Sequence, residues 1–149
     1  MKDSIQTNAK FLLTDSRFVS NPEQSIFFAI KGERHDGHNF IEDLYQKGIR
    51  EFVLERNIPQ KYEDAKFWQV QNSTKSLQNL VANHRKKFNI PIIGITGSNG
   101  KTIVKEWLFQ LLNDDFNIVR SPKSYNSQIG VPLSVWQMNE NHTLGIFEA

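Results

Sequence analysis

The stretch Ile92-Ile93-Gly94-Ile95-Thr96-Gly97-Ser98-Asn99-Gly100-Lys101-Thr102 leaves this chain few folds to choose from. An apolar run of strand length enters a glycine-rich turn, and a helical pattern from Val104 to Leu112 follows. Glycines at 97 and 100 let the backbone turn with its N–H groups pointing inward, which is how a loop cradles phosphate. Lys101 is placed to reach the β/γ-phosphates as a point charge, and the Thr102 hydroxyl to ligate Mg²⁺. The helix adds the positive end of its dipole at the same spot. The strict P-loop pattern asks for glycine where Ile95 stands, so the motif is Thr-Gly-x-x-Gly-Lys-Thr. A ligand-free turn between strand and helix is the plainer reading, and Lys-Thr directly after the second glycine is hard to account for on it.

A chain of 149 residues with 38% apolar content can fill one medium domain or two small ones. The net charge of +2 argues against nucleic acid or a membrane surface as partner. Without cysteine, a disulfide framework, a thiolate zinc site and a thiol nucleophile are excluded. No apolar run approaches the ~18 residues of a membrane span, and the start lacks an apolar signal core. A cytoplasmic compartment is expected, where ATP and free Mg²⁺ are available.

In chain order, Lys10 to Thr14 reads as a short strand ending in Asp15-Ser16-Arg17, and Asn21-Pro22-Glu23 as a turn. Ser25 to Ile30 is apolar throughout and reads as a central buried strand. The charged, glycine-flanked loop Lys31 to His38 leads to a helix over 39–47, with Phe40, Ile41, Leu44 and Tyr45 on one face and Gly48 as its stop. Strands at 51–54 and 66–70, with a polar link around Pro59, complete a βαβ pattern and predict a parallel sheet. Ser73 is expected to cap a helix running to about Lys87, on which His84 packs with apolar neighbours. A composition shift at 88–91 marks the domain boundary.

Beyond it, the phosphate-loop helix is expected to turn Val104, Leu108, Leu111 and Leu112 inward. A strand at 116–119, a polar loop at 120–128, a helix from Gly130 with Pro132 in its first turn, and a strand at 143–147 follow. Three strands are fewer than the five or so of a P-loop domain, so this half is expected to be cut short, with an unpaired sheet edge through which copies of the chain could dimerise.

Ligands in open α/β sheets bind beyond the carboxyl ends of strands. That rule gathers Lys101, Thr102 and Glu148 into one site, where Glu148 could complete the Mg²⁺ shell; a solvated chain-end carboxylate is the alternative. The loop from Ser121 to Gln128 shares the rim. Asp15-Ser16-Arg17 and Gly32 to His38 could share a second crevice suited to a diphosphate or a uracil edge, or could be a capping aspartate and an exposed arginine. His35-x-x-His38 lacks a third ligand nearby and does not read as a metal site.

Four blocks, Thr14 to Arg17, Ser25 to Gly32 with Asp36 to Phe40, Gly94 to Thr102, and Asn126 through Gly130-Val131-Pro132-Leu133, resemble the Mur ligases that build peptidoglycan precursors, most closely the MurF type. The resemblance implies an α/β fold: a small N-terminal Mur-ligase UDP-binding domain over 1–88, then a truncated P-loop parallel-sheet ATPase domain over 89–149. It implies an ATP- and Mg²⁺-dependent amide ligase whose partners are a UDP-N-acetylmuramoyl peptide and D-alanyl-D-alanine. By position, Thr14, Ser16, Glu33, Arg34 and His35 would hold the UDP end. Thr96, Gly97, Ser98, Asn99, Gly100, Lys101 and Thr102 would hold the ATP phosphates, with Lys101 and Asn126 as catalytic residues.

Thr102 and Glu148 would bind the metal. Ser127 stands where the family has a second asparagine. The Ser121–Gln128 form and the ending Ile-Phe-Glu-Ala resemble the version fused to a C-terminal alanine racemase, which would add pyridoxal phosphate as a cofactor. The 149 residues alone are expected not to turn over substrate. A folylpolyglutamate-synthetase-like ligase shares the phosphate loop but leaves residues 14–40 unaccounted for, and a non-catalytic UDP-sugar or nucleotide-binding module is the alternative from outside the enzymes.

Overall fold

A computed structural model describes residues 5–33, 35–57 and 62–148. The chain forms two compact units, Met1–Leu77 and Gln78–Ala149. The division falls inside a helix. Both units are α/β with parallel sheets.

In the first unit, β1 (Phe11–Leu13), β2 (Ser25–Phe28), β3 (Glu51–Leu54) and β4 (Lys66–Gln69) lie side by side in chain order. β2 is buried along its whole length, as its uninterrupted apolar run requires. The register aligns Phe27 with Phe52 and Phe52 with Phe67, so one row of rings crosses the sheet. Phe52 stacks on Phe67 at 5.2 Å between centroids and meets Phe27 edge-on at 6.5 Å. Such pairs add about 0.5–1.5 kcal/mol each beyond their buried area. Ile41 and Leu44 of α1 (Ile41–Gln46) close this core. The helix expected from residue 39 starts later, because Gly37–Phe40 forms a 3-10 turn and Phe40 stays exposed. Gly48, at φ +100°, ends α1 in a conformation other residues rarely adopt. The link around Pro59 lies outside the described residues.

α2 (Ser73–Arg85) follows β4. Its cap is Asn72 rather than Ser73: Asn72 Oδ1 accepts from the Lys75 N–H at 2.7 Å. Ser73 is instead the first helical residue, and its own N–H donates to Glu55 Oε1 at 2.6 Å. The second unit contains β5 (Ile92–Ile95), α3 (Lys101–Leu112), β6 (Ile118–Arg120), α4 (Gly130–Val135) and β7 (Leu144–Glu148), with strand order β5-β7-β6.

This order puts β7, the last strand in sequence, at the centre. β5 is an edge strand with Ile92 and Gly94 exposed, and the fully buried centre is β7. α3 turns differently from its expected face. Lys105, Leu108 and Leu112 face the sheet, while Val104 and Leu111 are exposed together with Ile103 and Trp107. Thr102 has to face the end of β7, and a helical step of three or six residues from it reaches Lys105 and Leu108, not Val104 or Leu111. No helix among the described residues is long and apolar enough to cross a membrane.

Candidate functional site

The phosphate loop joins the carboxyl end of β5 to the first turn of α3. Gly97 and Gly100 both take positive φ, +143° and +77°, and no heavy atom lies within 4 Å of where a Gly100 Cβ would stand. The turn therefore opens onto free space above the helix N-terminus, where backbone N–H groups remain available to an anion. Lys101 Nζ donates to the Gly97 carbonyl at 2.6 Å, folded over its own loop.

Seven of the residues singled out from sequence line one open cavity of about 290 Å³: Ser98, Asn99, Gly100, Lys101, Thr102, Asn126 and Glu148. Ile103 and Ser124 complete its wall. Thr96 and Gly97 sit at the base of the loop, outside the lining. The strand-tip rule thus brings Glu148 to Thr102 from 46 residues away, and Thr102 Oγ1 donates to Glu148 Oε2 at 3.1 Å. The solvated chain-end alternative for Glu148 is excluded, because this side chain is 0% exposed.

Lys105 explains how a carboxylate survives there. Its side chain is equally buried, and its ammonium stands 2.7 Å from Glu148 Oε1. The contact is an ion pair without the angle of a directed hydrogen bond, so Oε1 keeps an unfilled acceptor direction. Sequence reasoning missed this lysine. The signal available was its place three residues after Thr102, which puts both on one helical face.

The donor set fits a hard cation. Two oxygens, a hydroxyl and a carboxylate, stand 3.1 Å apart, close to the ~3.0 Å between adjacent corners of an octahedron with bonds of about 2.1 Å. Mg²⁺ commonly takes one or two protein oxygens and fills its shell with phosphate and water, so Thr102 and Glu148 suffice.

The rim loop after β6 is pinned at both ends. Ser121, buried, accepts the Glu148 N–H on Oγ at 3.2 Å and donates its own N–H to the Ile146 carbonyl. Ser127 is engaged with α4: its Oγ accepts from the Gly130 N–H at 2.9 Å and its carbonyl from the Val131 N–H. Gly130 packs closely here: a Cβ would stand 3.0 Å from the Tyr125 backbone, which would have to give way by a few tenths of an ångström.

A second cavity, about 260 Å³, lies in the first unit and is lined by Thr14, Asp15, Ser16, Arg17, Ile30, His35, Gly37 and Phe40. It gathers Thr14, Ser16 and His35 of the expected UDP set. Glu33 is exposed and outside the lining, and Arg34 lies outside the described residues. Arg17 grips Asp15 through Nε at 2.9 Å and Nη2 at 2.5 Å, and these bonds hold the Asp15 carboxyl below its ordinary range.

Gly37 brings the loop against β2: its N–H donates to the Ile30 carbonyl at 2.9 Å, and a Cβ would stand 2.8 Å from the Ile30 nitrogen. His38 fastens the same loop to β3. Its Nε2 accepts the Glu55 N–H at 3.0 Å, so Nδ1 carries the proton and donates to Asp36 at 2.6 Å. Asp36 also pairs with Arg56. Burial raises the Asp36 carboxyl, but the His38 bonds and the Arg56 charge outweigh it and leave the group below its ordinary value. His38 is thus a structural tie, with both ring nitrogens committed.

Two family profiles match the chain: "Mur ligase family, catalytic domain" over residues 8–96, and "Mur ligase middle domain" over residues 95–149. The UDP-N-acetylmuramoyl-tripeptide–D-alanyl-D-alanine ligase of Bacillus subtilis is 31% identical over 143 residues, covering 96% of this chain and 31% of the relative. The Treponema pallidum protein of the same name is 35% identical, over 90% and 31%. Among solved structures, MurF from Acinetobacter baumannii superposes with a TM-score of 0.85 at 30% identity, over 97% of this chain and 31% of that one. MurF ligase from Thermotoga maritima in complex with ADP gives 0.80 at 29% identity, over 93% and 31%. The chain therefore spans about a third of the length of the curated relatives it matches. With one Mur ligase profile matching residues 8–96 and a second taking over at residue 95, the chain belongs to the Mur ligase family.

Proposed function

We propose that these two units serve an ATP-dependent amide ligase that joins D-alanyl-D-alanine to a UDP-N-acetylmuramoyl tripeptide in peptidoglycan synthesis. The observation that carries the reading is the meeting of Thr102 and Glu148 at 3.1 Å beneath a glycine-built phosphate loop, with Asn126 in the same cavity wall. The names of the MurF relatives and the ADP complex of a structural neighbour support it.

On this reading the loop amides from Ser98 to Thr102 and the α3 N-terminus bind the ATP phosphates, and Lys101 exchanges the Gly97 carbonyl for a phosphate oxygen. Thr102 and Glu148 would hold Mg²⁺, which when bound neutralises the phosphate oxygens and orients the transferring group. The γ-phosphoryl passes to the carboxylate of the muramoyl peptide, and ADP leaves. The amine of D-alanyl-D-alanine then attacks the acyl phosphate, phosphate departs with the former carboxylate oxygen, and the nitrogen loses its proton. Asn126 and Ser124 line the rim, where amide and hydroxyl can orient the substrate.

The cavity of the first unit takes the UDP end: Thr14, Ser16 and Arg17 offer donors to a diphosphate or a uracil edge, and His35 adds a further polar group. The functional division is proposed at residues 88/89. The reaction belongs in the cytoplasm, where ATP and free Mg²⁺ are available.

Calorimetric titration of the protein expressed from its complete reading frame tests this. Lys101→Ala is expected to weaken a non-hydrolysable ATP analogue by about tenfold or more, with UDP-muramoyl-peptide binding unchanged. Ser16→Ala should do the reverse. Absence of binding of both ligands to the unaltered protein would overturn the assignment.

A further inference from the structure

A fully buried ammonium is costly unless its donors are met by oxygens, and Lys105 has three within 3 Å, with Glu106 Oε1 further off at 3.5 Å. Nζ donates to the Ser121 carbonyl at 2.9 Å and the Lys123 carbonyl at 2.5 Å, and it stands 2.7 Å from Glu148 Oε1. Two of these oxygens belong to the loop leaving β6 and the third to the tip of β7. Between the two carbonyls the chain turns through Lys123 at φ +52°, the one non-glycine residue with positive φ among those described. Such a conformation persists where its surroundings impose it. Residues 123–128, which follow, are exposed, yet they deliver Ser124 and Asn126 to the wall of the phosphate cavity. The ammonium is what fixes the take-off of that segment.

We propose that Lys105 is a positioning residue for the ligation. Through the Ser121 and Lys123 carbonyls it sets the rim loop that presents Asn126, and through Glu148 it ties that loop to the carboxylate beneath the phosphate cradle. Lys105 touches no reacting atom; it acts through what it holds. The proposal rests on the ligase reading above, in which Asn126 meets substrate.

The test is a double-mutant cycle on kcat for ligation, in the protein expressed from its complete reading frame. Asn126→Ala and Lys105→Met are each expected to lower kcat by about tenfold or more, and the combined variant to lie within about threefold of the slower single one. A merely structural lysine would give losses that multiply. Lys123→Pro keeps the buried ion pair but forbids the left-handed turn, because proline holds φ near −65°. It is expected to slow ligation with the same non-additivity towards Asn126→Ala, and it decides the matter if Lys105→Met does not fold.

Multiplying losses, or unaltered kcat in Lys123→Pro, would overturn the positioning role while the ligase reading stands. An unaltered protein that forms no amide bond, or an Asn126→Ala variant at full rate, would instead remove the ligase reading and the positioning role with it.

Discussion

His84 shows how a single packed side chain makes stability depend on pH. Its ring lies 4.4 Å from that of Trp136 and 5.0 Å from that of Phe88, and its Nε2–H donates to the Met138 carbonyl at 2.9 Å. Burial lowers its pKa from the ordinary value of about 6.5, an effect the Met138 carbonyl only partly offsets. The folded state thus resists protonation more than the unfolded one. Its contribution is complete above about pH 6.5 and is lost as pH falls from there toward the depressed folded value. Urea unfolding at pH 7.5 and pH 5 should show the unaltered protein losing more stability than His84→Gln over that interval.

Lys105 marks what could not be read from sequence at this scale. A lysine among Ile103, Val104 and Trp107 looks like the solvated face of the helix, and only knowing that Thr102 faces β7 turns it inward. Glu148, in contrast, was placed correctly by the general rule about strand tips.

Among elements, α3 carries the clearest lesson about periodicity. Its apolar residues occupy two faces, and the pattern does not say which is buried. The sheet takes the face that also bears Thr102 and Lys105, leaving Ile103, Trp107 and Leu111 between 57% and 74% exposed. Leu111→Gln is therefore expected to change unfolding free energy by less than about 0.5 kcal/mol, against the roughly 2–5 kcal/mol that truncating a buried leucine costs. Denaturant titration distinguishes the two.

Strands were more legible, because β2 and β3 carry short apolar runs and β4 the aromatic pair Phe67-Trp68, and α1 stops where Gly48 takes φ +100°. For β5 an apolar run predicts a strand and not its position in a sheet. Strand order is set by long-range pairing, which local composition does not encode. The cap of α2 was displaced by one residue for a local reason: Asn72 and Ser73 are both good caps, and Glu55 takes the Ser73 N–H.

At the scale of the molecule, the cavity at 14–17 and 35–40 lies in the first unit and the cavity beneath the phosphate loop in the second, and each is lined by residues foreseen for one of the two ligands only. Hydrogen exchange can check this. UDP is expected to slow amide exchange at 14–17 and 35–37 but not at 98–102, and an ATP analogue with Mg²⁺ the reverse.

The strand order of the second unit bears on how the polypeptide acquires its shape during synthesis. β5 and β6 have no pairing with each other; each waits for β7, which lies between them in space but after them in sequence. As the nascent chain leaves the ribosome, the phosphate loop emerges attached to a strand whose partner β7 has yet to be made. A chaperone that shields unpaired edges would find its substrate in that interval, and slowed translation before residue 144 would lengthen it.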